Sequence, residues 1–164
     1  TLKKIRRPEF LAMRRIPQAI ALERNTWFHV GANCNQQYMY CLRRMLDPIK
    51  EHVDNNFQPM PKKYLDEFES VRRRINEMMK HTDQMISTNR YNLYRETLII
   101  SDECKDELSA LRERHLNFMQ KDQDAAANMK TSLLYLNILQ ESQEMISIMR
   151  HQLRAAYKFI SEDK

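Results

Sequence analysis

The chain has 164 residues, one glycine, five prolines and a net charge of +5 at neutral pH. A single glycine excludes glycine-rich phosphate loops, and the abundance of Leu, Met, Arg, Lys, Glu and Gln points to an all-α fold. The longest uninterrupted apolar run is Tyr38–Leu42, far short of the ~20 residues a membrane span needs, and no secretory signal pattern is present.

The net charge is concentrated at the start. In residues 1–20, Lys3, Lys4, Arg6, Arg7, Arg14 and Arg15 face Glu9 alone, so the remaining body is neutral. Such an arm has three readings: a solvated tail, a nucleic-acid arm, or a segment beside the cytoplasmic face of an anionic membrane. In the last case each cation contributes about 1 kcal/mol. The neutral body offers no basic recognition helix, so no nucleic-acid partner is expected. Residues 1–20 therefore read as a basic, juxtamembrane-like linker, and 21–164 as one helical domain. A chain that opens on Thr1 is expected to be a piece of a longer one.

The first helix is expected from near Pro17, a residue suited to a first turn. Trp27, Val30, Cys34, Tyr38, Cys41 and Met45 give its three-four stripe. Gly31 lies beside that stripe and suggests close helix packing. Asp47-Pro48 predicts a kink, or a restart capped by Asp47. The helix should end around Asn55, before the connector Phe57–Pro61. The second helix, from Pro61 to Ser87, buries Tyr64, Phe68, Val71, Ile75, Met78, Thr82 and Met85. The run Arg72-Arg73-Arg74 on it is balanced locally by Glu67, Glu69 and Glu77 and reads as a solvated face.

Ser87-Thr88-Asn89 predicts a break, because all three residues favour caps over helix interiors. The third helix then runs to Gln120 and buries Tyr94, Leu98, Ser101, Cys104, Leu108, Leu111, His115 and Met119. Lys121–Asp124 closes it and caps the next. The fourth helix spans Ala125–Ile160. Leu136, Leu139, Ile146, Met149, Leu153 and Ala156 form its stripe, which Ser142 and Gln143 interrupt. Asn137, Glu141, Glu144 and His151 are expected on its outer face. Helices this long need partners to cover their stripes. The expected fold class is all-α, an antiparallel up-down bundle of four long helices.

Catalytic signals are sparse. Cys34, Cys41 and Cys104 are odd in number and lack CxxC spacing, as expected of reduced thiols in a cytoplasmic protein. The eleven methionines read as core filler. The Glu-x-x-His spacing of di-iron bundle enzymes is absent, and the histidines are singletons; His115, on the apolar stripe, reads as a hydrogen-bonded core residue. One constellation stands out. In Ser101–Glu107, Asp102 and Asp106 share one side of the third helix, with Glu103 and Glu107 beside them. Oxygen ligands of this kind suit Mg²⁺, Ca²⁺, Mn²⁺ or iron. The alternative is a solvated acidic face paired with Lys105, Arg112 or another helix.

DECKDEL at 102–108 resembles the D-x-x-x-D-x-L motif of PhoU-like phosphate-uptake regulators. LLYLNILQESQEMISIMRH at 133–151 falls where that family has its other helix. With a basic segment in front, the chain looks like the C-terminal cytoplasmic tail of a bacterial sodium- or anion-coupled phosphate transporter. The resemblance implies a PhoU-like, spectrin-like bundle that regulates phosphate uptake without catalysis. It implies a divalent metal or iron at Asp102 and Asp106. The family's second acidic motif is broken here, since Met145 follows Glu141 and Ile148 follows Glu144 at the fourth position.

The expected partners are a transmembrane transporter portion of the same chain, an anionic membrane surface near the arm, and a second copy of the domain. The expected location is the cytoplasmic side of the inner membrane. The rival reading is a stand-alone helical adaptor or scaffolding bundle that mediates protein–protein contacts.

Overall fold

A computed structural model describes residues 18–121 and 125–161. They form α1 (Gln18–Asp54), α2 (Lys62–Thr88), α3 (Tyr94–Lys121) and α4 (Ala125–Ser161), with no strand among the described residues. The fold is an all-α four-helix bundle. No helix among these residues is long and apolar enough to cross a membrane.

Cross-helix pairs fix the antiparallel order. Asn35 meets Gln152, and Arg44 meets Glu141 further along α1. Ser70 meets Glu107, and His81 meets Thr97. Arg112 meets Gln140, and Tyr94 stacks on Tyr157. In each pair of helices one index falls as the other rises. The backbone of α4 approaches all three other helices, most extensively α1. Its Tyr135, Leu139, Ser142, Ile146 and Leu153 are almost wholly buried.

Two asparagines end helices in the left-handed region. Asn56 has φ 51°, with Phe57 N–H donating to His52 C=O at 3.1 Å and Asn56 N–H to Val53 C=O at 3.0 Å. This is a Schellman closure, and the rings of Phe57 and His52 supply its side-chain contact at 5.5 Å. Asn89, at φ 56°, closes α2 where the break was expected. The cap expected at Lys121–Asp124 falls partly on residues 122–124, outside the described residues.

Three expectations meet the structure here. Of the kink or restart expected at Asp47-Pro48, the restart does not occur: helix α1 continues through Pro48. Packing holds it on both sides of the proline, by Cys41 upstream and His52 downstream, both buried. Gly31 admits no close neighbour: a Cβ built there meets nothing within 4 Å. Gly31→Ala should therefore stabilise the protein by about 0.5–1 kcal/mol, the helix-propensity gain alone, read as a higher denaturant midpoint. Finally, Glu141 is buried, while Glu144 and His151 stay exposed. Neighbours on several sides of α4 widen its buried arc beyond one stripe.

Candidate functional site

The acidic constellation on α3 is spread among basic partners from two helices. Asp102 accepts from Arg150 of α4, and Glu103 pairs with Arg74 of α2. The same guanidinium reaches Glu107, Nε to Oε2 at 3.3 Å, and Ser70 Oγ donates to that oxygen at 3.3 Å. Asp106 faces solvent. Asp102 and Asp106 therefore sit in different settings. Lys105 lies in the same neighbourhood, its pKa lowered first by partial burial and then by Arg150. Arg150 already neutralises one oxygen of Asp102. Among the described residues, no group of three or more His, Cys, Asp or Glu side chains is arranged to hold a metal ion. The basic residues Lys3, Lys4, Arg6, Arg7, Arg14 and Arg15 lie outside the described residues.

A polar centre that the sequence hides sits between α1 and α4. Arg44 Nε donates to Glu141 Oε1 at 2.9 Å and to Oε2 at 3.0 Å, and its NH2 lies 2.9 Å from Oε2. Cys41 Sγ donates to the Glu141 carbonyl at 3.1 Å and lies 3.4 Å from Oε2. Beside them, Ser142 Oγ is buried with no hydrogen-bond partner. The carboxylate is thus neutralised and directionally held, the condition for keeping a charge inside. The available sequence signal was complementary charge next to buried positions: Arg44 three residues after Cys41, and Glu141 just before Ser142.

The thiols are quenched by the same packing. Burial pushes Cys41 up to about 12, with the Glu141 hydrogen bond adding to it, and pushes Cys104 up to about 11. Cys34 is raised too, again by burial. Thiolate is the reactive form. Native protein at pH 8 should therefore react with a disulfide reagent such as DTNB far more slowly than protein unfolded in guanidinium. Comparable rates would show that the thiols are open.

Towards the α1–α2 connector, Tyr64 of α2, His115 of α3 and Tyr135 of α4 form an aromatic knot. Tyr64 and Tyr135 stack at 4.7 Å, and His115 meets their edges at 4.8 and 4.9 Å. His115 Nε2 and the Tyr135 hydroxyl are buried without a hydrogen-bond partner. Burial lowers the His115 pKa below its usual 6.5, and a hydrogen bond to the Ser132 backbone opposes the shift. The unfolded chain then binds a proton that the folded chain resists. The contribution of His115 is complete above about pH 6.5 and is lost as pH falls from there towards the folded pKa. Melting curves between pH 7.5 and pH 5.5 should show a loss of stability that is smaller in His115→Phe. An equal loss in both proteins would contradict this.

None of these arrangements activates a nucleophile or gathers an acid–base pair. Comparison of the chain with protein-family models, with curated proteins and with solved structures finds no match in any of the three.

Proposed function

We propose that this bundle is a non-catalytic regulatory domain of a membrane phosphate transporter, placed on the cytoplasmic side and acting through helix contacts. The observation that carries the contact role is apolar surface in rows two helical turns apart. On α1, Met39, Leu46 and Val53 are 58%, 56% and 66% exposed. On α2, Leu65, Met79 and Ile86 continue the pattern, with Arg72 filling the gap in the row. Rows with this spacing suit packing against further helices. The transporter assignment rests on the resemblance of the 102–108 and 133–151 stretches to PhoU-like regulators.

The same rows suit a free-standing adaptor bundle, which is the second reading. Fractionation of the complete gene product separates the two. A transporter domain stays in the membrane pellet after carbonate washing. Full-length product released into the wash would overturn the transporter reading and leave the adaptor.

A further inference from the structure

Helices α1 and α2 both pack on α4, yet their backbones hardly approach each other. They touch where Tyr38 Oη donates to Met79 Sδ at 3.4 Å. That contact makes α1 and α2 the two walls of one cleft above α4. Residues three and four apart share a helix face, so the rows follow from it. On α1, half-buried Leu42 and Ile49 step outward from Tyr38 to exposed Leu46. On α2, half-buried Phe68 lies in line with Met79 and Ile86.

The two edges of the cleft differ in charge. On α1, Arg43 and Lys50 come four residues after Met39 and Leu46, on the outer flank of the row. Both are exposed, and neither makes an ion pair among the described residues. The α2 edge is balanced: Arg72 holds Glu69, and Lys62 and Asp83 have opposite signs at its ends. An occupant therefore meets apolar walls and one basic edge.

We infer that the cleft takes one amphipathic helix of a partner protein, with Glu or Asp one heptad apart along the edge that meets Arg43 and Lys50. Apolar rows at heptad spacing receive the knobs of a facing helix, and the charges beside them select the partner. The leading segment of this chain does not complement the basic edge, because its six cations face Glu9 alone. A second copy docked antiparallel through the α1 row would set Arg43 and Lys50 against like charges. The inference rests on the contact role proposed for the rows and leaves the transporter assignment aside.

The test is titration of the full chain with two amphipathic peptides of about 20 residues, each with Leu at the a and d positions of its heptads. One carries Glu on both flanks and the other Lys, so like charges keep each from pairing with itself. The expected result is saturable binding of the Glu peptide, with amide shifts over residues 39–53 and 65–86. The Lys peptide should bind about tenfold more weakly. Arg43→Glu combined with Lys50→Glu should reverse that preference; both positions are exposed, so the fold should hold. Leu46→Asp should weaken both peptides together. Equal affinity for the two peptides at these residues would overturn the acidic partner and keep the contact role. Binding of neither peptide would overturn both. Two further results would overturn the inference by naming another occupant. Signals of residues 2–16 displaced by the Glu peptide would place the leading segment in the cleft. A dimer that the peptide splits would place a second copy there.

Discussion

Arg44→Ala should lower stability by roughly 2–3 kcal/mol. Removing one partner of a buried pair costs about 3–5 kcal/mol, because the other charge is left uncompensated. The Arg44 side chain is 51% exposed and that of Glu141 11%, so solvent screening lowers the figure. For a domain of this size each kcal/mol shifts the melting temperature by about 2–4 °C. The cost should be asymmetric. Glu141→Leu leaves a guanidinium that can turn to water, whereas Arg44→Ala leaves a carboxylate inside the α1–α4 seam. The double variant Arg44→Ala, Glu141→Leu should return to within about 1 kcal/mol of the parent. Thermal melts of the four proteins form a double-mutant cycle. Purely additive losses would show that the pair does not couple.

Tyr135 offers the second large effect, and a contrast within one side chain. It is 1% exposed and packs against both Tyr64 and His115. Tyr135→Ala should cost about 3–5 kcal/mol, the range for deleting a large aromatic from a core. Tyr135→Phe should be neutral or slightly stabilising, since the hydroxyl it removes is buried and unpaired. Burial also pushes that hydroxyl up to about 12, so it stays protonated at any working pH. Denaturant midpoints of the two variants separate the ring from its hydroxyl. A costly Tyr135→Phe would reveal a partner for the oxygen.

The helices were legible because their stripes are regular. Every stripe residue expected on α2 from Tyr64 to Met85 is buried apart from Phe68, which is half-buried. Asn89 was legible as a stop because asparagine tolerates the left-handed backbone that ends α2. The polar seam was not legible. Glu141 and Arg44 lie 97 residues apart, and one helical wheel cannot show which side of α4 the first helix covers. The acidic run on α3 was visible, but its partners were not. Arg74 and Arg150 come from separate helices, and only the packing brings them to Glu103 and Asp102. At Pro48 the restart did not occur, because buried contacts on either side of it keep one continuous helix.

The exposed rows on α1 and α2 are the proposed working surface, and phosphate uptake reads them most directly. The measurement is uptake by cells that carry the complete gene with Leu46→Asp and Leu65→Asp. Both residues are exposed, so the fold and the protein level should hold. The account predicts a changed uptake rate, or a changed response to external phosphate, at unchanged abundance and melting temperature. Uptake identical to the parent, with the variant folded and equally abundant, would contradict it.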